Sequence, residues 1–486
     1  MNEHISALKP ERLWHYFKEI LEIPRPSKKE EKIAAYIVEF GEKNKLETLR
    51  DEVGNILIRK PAKKGKENIK AVTLQSHLDM VCEKNTDTEF DFLNDKIETY
   101  IEDGWVTAKG TTLGADDGIG VAAQLAILEA SDIEHGPIEC LFTIDEETGL
   151  TGAFGLKPGF LKGKILLNLD SEDDGELFIG CAGGIDTIAT LSIEFENIPE
   201  KHTAYKIKVY GLAGGHSGDD INKGKGNANK LLNRILWTAE DKAGIRIGEF
   251  DGGNLRNAIA REAFAIVTVP EEQSSRLERL TDFYDKAFQK ELKITDTGVK
   301  VSLTKTNLPA KVLVMESQNK LMQSIYACPH GVLAMSQDIP NFVETSTNLA
   351  SVKMNANNII FTTSQRSSVE TKKTDACQMV SALFMLAGAK IKSSDGYPGW
   401  APNPHSEIVD ITAKLYKQLF NEEPKVLAVH AGLECGLIGD KYPGMDMISY
   451  GPTIKGAHSP DEKIKIDTVE KFWELTLEVL KAIPSS

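Results

Sequence analysis

Apolar residues recur every three or four positions near the start of the chain. Residues 10–23 place five of them on one helical face: Leu13, Tyr16, Phe17, Ile20 and Leu21. This spacing predicts an amphipathic helix over residues 10–23, and the same spacing predicts another over residues 29–43. Two prolines separate the segments, and Ser27 is the expected N-cap of the second helix.

Short apolar runs bounded by polar residues or glycine predict strands. They occupy residues 55–59, 71–75, 138–144 and 164–169. A longer apolar run over residues 121–130 predicts a buried helix between the second and third strands. This alternation predicts an α/β domain with a mostly parallel central sheet and helices on both faces.

The pattern changes after residue 184. Residues 185–398 contain alternating strands and polar helices, which predict an inserted α+β domain. Asn257 and Asn348 each open a similar segment ahead of a predicted strand, so two related halves are a hypothesis for this insertion. Helix and strand patterns of the first kind return over residues 399–486, which we assign with residues 1–184 to one catalytic domain.

Composition narrows the kind of partner. The 486 residues carry a net charge of -15, which argues against nucleic acid or an anionic membrane as the main partner. No apolar run approaches the roughly 20 residues that a membrane span needs. The six cysteines are widely spaced, and the first ten residues contain no apolar signal core, so we predict a cytoplasmic protein.

Residues of the kinds that bind metals follow the predicted strands. His77 follows the second strand, Glu146 and Glu147 follow the third, and Asp170 follows the fourth. Ligands of open α/β sheets bind at the carboxyl ends of the strands. These side chains are therefore expected at one edge of the sheet.

Two further candidates lie in glycine-bearing loops. Asp116 and Asp117 stand side by side between Gly114 and Gly118, and His458 lies in a loop with glycine and proline. Adjacent ionised carboxylates repel one another, so a buried pair needs compensation by a cation or hydrogen bonds. A divalent metal is the usual cation.

Two histidines, two terminal carboxylates and one bridging aspartate suit a pair of zinc ions, which cobalt or manganese can replace. In this interpretation His77 and Asp170 hold one ion, Glu147 and His458 hold the other, and Asp116 holds both. The metals would lower the pKa of a shared water towards about 7.

Two more carboxylates complete this interpretation. Asp79 can hold the second nitrogen of the His77 ring, and Glu146 is the expected general base. Each motif also has a simpler explanation: a polar pair at a strand end, or an acidic first turn of a helix. Residues 118–123 also fit a dinucleotide fingerprint, but the two aspartates before them would repel a pyrophosphate. Convergence of several segments favours the metal site.

The motifs occur in the order H-x-D, G-x-D-D, E-E, an aspartate after a strand, and a late histidine. This order resembles the dinuclear zinc peptidases that include glutamate carboxypeptidase and aminoacylase. The resemblance covers essentially the whole chain. Its most specific stretches are residues 53–60, 110–116, 180–186, 430–436 and 458–462.

The resemblance implies the same metal and base roles and makes the inserted domain a lid. It also implies that His216 polarises the scissile carbonyl and that Asn257 and Arg366 bind the carboxylate end of the substrate. The lid is about twice the usual length and can mimic a dimer within one chain, so a homodimer is allowed but not required. Glu434 lies in a recognisable motif without an assigned role.

The implied activity is hydrolysis of dipeptides with a free N-terminus, Xaa-His among them, and the small dipeptide is the expected partner. An amidohydrolase acting on N-acylated amino acids is the nearest alternative. A non-catalytic binding relative would have no need for Glu146. A two-metal phosphoesterase is disfavoured because the surroundings are acidic, whereas a phosphate calls for positive groups.

Overall fold

A computed structural model describes residues 2–403 and 405–485 of the chain. The chain forms two compact units. The first comprises Met1–Gly180, Pro402–Ala428 and Leu433–Ser486, and the second comprises Cys181–Ala401 and Val429–Gly432.

The first unit begins with helices α1 (Glu3–Ser6), α2 (Glu11–Leu21), α3 (Glu31–Lys43), α4 (Ala115–Glu129), α5 (Glu146–Gly149) and α6 (Thr151–Gly155). Strands in the same part are β1 (Glu47–Arg50), β2 (Ile56–Lys60), β3 (Val72–His77), β4 (Thr99–Glu102), β5 (Trp105–Ala108), β6 (Ile138–Thr143), β7 (Ile165–Asn168) and β8 (Glu176–Cys181).

The second unit contains helices α7 (Ala228–Ala243), α8 (Ser274–Glu291), α9 (Met315–Ala327) and α10 (Glu370–Leu386), with a 3-10 turn at Glu271–Gln273. Its strands are β9 (Gly183–Ser192), β10 (Phe195–Glu196), β11 (His202–Tyr210), β12 (Arg246–Gly252), β13 (Ala263–Pro270), β14 (Lys300–Thr306), β15 (Val312–Leu313), β16 (Gly331–Met335), β17 (Val343–Met354), β18 (Asn358–Ser367) and β19 (Lys390–Ser393).

The last part of the chain adds helices α11 (Glu407–Phe420), α12 (Glu434–Lys441) and α13 (Ile466–Ala482). It also forms strands β20 (Lys425–Val429), β21 (Asp446–Ser449), β22 (Ile454–Lys455) and β23 (Lys463–Lys465).

The central sheet of the first unit has the strand order β1-β2-β6-β3-β7-β21-β8-β20. Strands β6, β3, β7 and β21 pair in parallel, whereas β1, β2 and β6 pair antiparallel, as do β21 and β8. The α/β prediction is confirmed, with the parallel pairing concentrated in the middle of the sheet. The middle strands bring their carboxyl ends to one edge.

The apolar run predicted to form a helix over residues 121–130 lies almost entirely in α4 (Ala115–Glu129). All residues from Gly118 to Leu128 are buried, and a helix that is apolar all round belongs inside a protein. Helix α4 contacts α2, whose Leu13 and Phe17 are fully buried. These two helices build much of the interior behind the site.

Ser27 does not cap α3, contrary to the prediction. It stands four residues before Glu31, outside the N-cap position, and its hydroxyl instead donates a hydrogen bond to Asp79 Oδ2 at 2.7 Å. The proline-containing segment before α3 therefore supports a residue at the end of β3.

The large sheet of the second unit has the order β14-β11-β13-β12-β17-β18-β9-β19, with β16 paired to β17. Asn257 lies in a loop before β13, whereas Asn348 lies inside β17, so the two asparagine segments adopt different structures. The core between this sheet and its helices includes Leu232, Phe250 and Phe361. No helix among the described residues is long and apolar enough to cross a membrane.

Candidate metal centre

His77, Asp116 and Asp170 form one donor set. His77 is the last residue of β3 and is 1% exposed, which fixes its ring at the carboxyl edge of the sheet. Its Nε2 lies 3.0 Å from Asp116 Oδ1 and 3.4 Å from Asp170 Oδ1. Three potential ligand atoms of these residues lie within 4.8 Å of one another.

Asp116 also belongs to a second donor set. His458 Nε2 lies 3.2 Å from Asp116 Oδ2 and 3.1 Å from Glu147 Oε2. The three ligand atoms of this set again lie within 4.8 Å of one another. Each oxygen of Asp116 therefore faces a different histidine, which is the arrangement expected of a bridging ligand.

The first turn of α4 is irregular at Asp116 and Asp117. Asp116 has φ -78° and ψ 113°, which is not helical, and the Asp117 carboxylate accepts a hydrogen bond from Gly120 N at 3.2 Å. Gly114 has φ +69°, and a Cβ there would lie 2.7 Å from Arg25 Nη2. Glycine is needed at that position because of both the backbone conformation and the close approach.

Asp79 joins the segments that carry His77, Glu146 and Glu147. Its Oδ1 lies 3.4 Å from His77 Nδ1 and accepts from Glu146 N at 2.9 Å, while its Oδ2 accepts from Glu147 N at 3.2 Å. Burial opposes ionisation of Asp79, but the His77 hydrogen bond and charge lower its pKa to about 2. An ionised Asp79 can therefore orient the imidazole and both glutamates.

Ionisable side chains in and beside the two donor sets have strongly shifted pKa values. Hydrogen bonds that the His458 ring donates to the carboxylates of Asp116 and Glu147 raise the pKa of His458 to about 11. Burial, with neighbouring carboxylates, raises the pKa of Glu146 and of Asp170 well above the ordinary range. Several carboxylates crowded around two imidazoles repel one another, and bound cations would stabilise them.

The residues fit a pair of divalent metals by their chemistry. Imidazole nitrogen and carboxylate oxygen are ligands that zinc accepts. Glu147 Oε1 is buried and has no hydrogen-bond partner among the described residues, so an acceptor remains for a cation. The structure brings the five predicted ligands together in two sets that share Asp116, and their role as ligands stays a prediction.

The second unit brings two of the three predicted substrate-binding side chains together. His216 Nε2 lies 3.4 Å from Arg366 Nη2, and His216 Nδ1 lies 3.1 Å from Asp219 Oδ2. Arg366 Nη1 also donates to the Tyr397 hydroxyl at 2.9 Å. Asn257 is exposed, and its backbone carbonyl accepts from Ser217 N at 2.8 Å.

Glu434, which had no role in the sequence interpretation, ends a buried polar row. Its Oε2 accepts hydrogen bonds from Gln75 Nε2 at 2.5 Å and from Thr143 Oγ1 at 2.7 Å. Gln75 Oε1 in turn accepts from Asn168 Nδ2 at 2.6 Å, and Asn168 accepts from the Ser449 hydroxyl. The row crosses β6, β3, β7 and β21 just before the residues of the metal sets. Burial raises the pKa of Glu434 to about 7.

Arg25 is a second residue that sequence reasoning missed. Its guanidinium is 2% exposed and donates to the backbone carbonyls of Leu78 at 3.0 Å, Asp79 at 2.6 Å and Gly114. In the sequence it is one residue of a proline-rich break between helices. Nothing in that local pattern indicates its partners.

Residues 73–482 match the model of peptidase family M20/M25/M40. The chain is 44% identical over 481 residues to cytosol non-specific dipeptidase of Escherichia coli, covering 99% of each chain. It is also similar to the crystal structure of aminoacylhistidine dipeptidase from Vibrio alginolyticus, with 46% identity and a TM-score of 0.92 over 100% of this chain and 99% of that one.

A more distant match is the Saccharomyces cerevisiae di-peptidase Dug1p, with 16% identity and a TM-score of 0.51 over 98% of this chain and 96% of that one. At this identity the match shows a shared fold only.

Proposed function

The chain belongs to peptidase family M20/M25/M40, and from this membership we propose that it hydrolyses dipeptides with a free N-terminus, Xaa-His among them. It is a metallopeptidase whose cofactor is a divalent metal. The Escherichia coli relative is a non-specific dipeptidase, and the Vibrio relative is an aminoacylhistidine dipeptidase. The similarity to each of them covers nearly the whole of this chain.

One observation carries the proposal: two sets of ligand atoms share Asp116. We assign His77 and Asp170 to one zinc ion and Glu147 and His458 to the other, with Asp116 common to both. Cobalt and manganese are expected substitutes, because they accept the same nitrogen and oxygen ligands.

When bound, the two cations would polarise the scissile carbonyl and lower the pKa of water. Glu146 is the proposed general base. Its backbone N–H is held by Asp79 at 2.9 Å, and burial raises the pKa of its carboxyl, so the group can hold the proton of the attacking water. Glu146 then passes that proton to the leaving amine.

The proposed substrate contacts of the second unit follow from charge. Arg366 offers a guanidinium, which suits the terminal carboxylate of a dipeptide. His216 is proposed to polarise the scissile carbonyl, and Asn257 to add a further contact to the carboxylate end. We propose that residues 185–398 act as a lid on a catalytic domain made of residues 1–184 and 399–486.

The Escherichia coli relative is named for the cytosol, and we propose the same compartment for this protein. The acidic net charge of -15 agrees with a small-molecule substrate rather than nucleic acid.

The decisive experiment measures histidine released from Ala-His and β-Ala-His by the protein as isolated, after chelation, and after zinc is restored. Activity that is lost with the chelator and returns with zinc supports the proposal. N-acetyl-Ala-His is the matched substrate, because the acetyl group removes the positive amine. Hydrolysis of the acetylated substrate alone would favour the amidohydrolase instead.

A further inference from the structure

Glu462 lies outside both donor sets, yet its carboxylate holds the loop that carries Asp116. Oε2 accepts hydrogen bonds from Leu113 N at 2.8 Å and Gly114 N at 2.9 Å. Oε1 accepts from Ala115 N at 2.7 Å, with Asp116 N at 3.4 Å. Both oxygens of one side chain are thus occupied by consecutive backbone donors.

The same residue belongs to the loop that carries His458. Glu462 follows His458 by four residues, and its N–H donates to Ser459 O at 3.1 Å. Its carbonyl accepts from Thr107 Oγ1 at 2.9 Å, next to the pairing of β23 with β5. The side chain is 2% exposed, so water does not compete for these bonds. Glu462 therefore joins the loops of the shared ligand and of one terminal ligand.

Arg25 holds the opposite side of the Asp116 loop. It binds the carbonyl of Gly114, whose N–H donates to Glu462, and it also binds the carbonyls of Leu78 and Asp79 just after His77. The Gly114 peptide segment is thereby fixed by the buried guanidinium of Arg25 on one side and the buried carboxyl group of Glu462 on the other. This links the segments of His77, Asp116 and His458 in series.

We propose that Glu462 is a positioning residue of the metal centre. By fixing the four backbone donors from Leu113 to Asp116, it holds Asp116 Oδ2 at 3.2 Å from His458 Nε2. The inference rests on the metal centre proposed above. Groups that orient metal ligands typically change metal affinity or activity by about 10- to 100-fold when they are removed.

The test starts from metal-free protein, prepared with a chelator and without unfolding. This protein is titrated with Co²⁺, and binding is followed by the visible absorption spectrum. Glu462→Gln keeps the shape of the side chain but replaces one acceptor oxygen with an NH2 group that faces backbone donors. We expect the second Co²⁺ to bind about 10- to 100-fold more weakly, with an altered spectrum. Hydrolysis should show a lower kcat with little change in KM. Asp461→Asn, at an exposed neighbouring carboxylate, is the matched control and should behave as wild type.

The possible outcomes separate the two proposals. Wild-type protein that binds no Co²⁺ would overturn the metal centre itself. Wild-type protein that binds two ions, with a folded Glu462→Gln variant of equal affinity and spectrum, would overturn only the role of Glu462.

If Glu462→Gln does not fold, hydrogen exchange of the wild type decides the question. The amides of residues 113–115 should be protected even in the metal-free protein, because their acceptor is already in place. Their protection should increase when Co²⁺ binds. Exchange as fast as that of the exposed residues 86 and 87, with and without Co²⁺, would contradict the inference.

Discussion

His430 should make the second unit acid-sensitive. Its ring is 5% exposed, and its Nε2 lies 2.7 Å from the hydroxyl of Ser346 in β17. Burial lowers the pKa of His430 to about 3, and the positive charge of Arg366 acts in the same direction, while Asp219 opposes it. The folded protein therefore holds this histidine neutral.

The sign of the effect follows from proton binding. An unfolded histidine has a pKa of about 6.5, so between about pH 3 and pH 6.5 the unfolded chain binds more protons at this site than the folded chain. Stability is complete above that window and is lost as the pH falls through it. Between pH 7 and pH 5 the loss is about 2 kcal/mol, or about 25-fold in the opening equilibrium.

The variant His430→Gln tests this, because glutamine has no charge in this range and can still bond to Ser346. Hydrogen exchange of residues 343–354 reports the local opening free energy, which suits a chain of two units better than one denaturation midpoint. After correction for intrinsic exchange, the opening free energy in the wild type should fall about 2 kcal/mol more than in the variant from pH 7 to pH 5.

Metal-free protein is used for both chains, so that loss of metal in acid does not contribute to the difference. His405→Gln, at an exposed histidine, is the control and should keep the wild-type pH dependence. Equal pH dependence in wild type and His430→Gln would refute the reasoning, since the buried neutral ring would then contribute nothing.

Glu146→Gln should lower kcat by about 100- to 10,000-fold with unchanged metal content, and turnover within tenfold of wild type would exclude this base. Arg25→Met should lower the melting temperature strongly, because three buried carbonyls lose their donor at about 1–3 kcal/mol each, whereas Arg12→Met removes a half-exposed side chain and should have little effect. Gly114→Ala should abolish activity in the assay of histidine release, because its Cβ would meet Arg25 at 2.7 Å. Gly104→Ala, with φ +81° and open space around it, should cost only about 1 kcal/mol in thermal unfolding and keep activity.

Much of the first unit's fold is accessible to local sequence patterns. The apolar run of residues 138–144 became β6 (Ile138–Thr143), and that of residues 164–169 became β7 (Ile165–Asn168), both fully buried. Both succeed because burial of a strand leaves a continuous local signal. Antiparallel pairing at the edges of the sheet has no such signal, since it depends on which segments meet.

The candidate ligands can be identified from local sequence, whereas the residues that hydrogen-bond around them cannot. His77 and Asp170 could be proposed because a metal-type side chain at the end of an apolar strand is a local feature. Glu462 binds backbone donors about 346–349 positions away in the chain, and Glu434 binds Gln75 359 positions away. No local pattern relates such segments, so only the fold identifies these residues.

Strand β3 contains the clearest local sign of a site, because polar residues occupy buried positions in it. All six of its side chains are buried, yet Thr73, Gln75, Ser76 and His77 are polar. A strand that only had to pack would be apolar along its length, because each buried polar group needs a partner. Gln75 meets that need through Glu434 and Asn168. Burying polar side chains costs stability, and proteins tolerate this cost mainly at functional sites. Buried polar residues near the carboxyl end of a strand therefore indicate the site before any motif is matched.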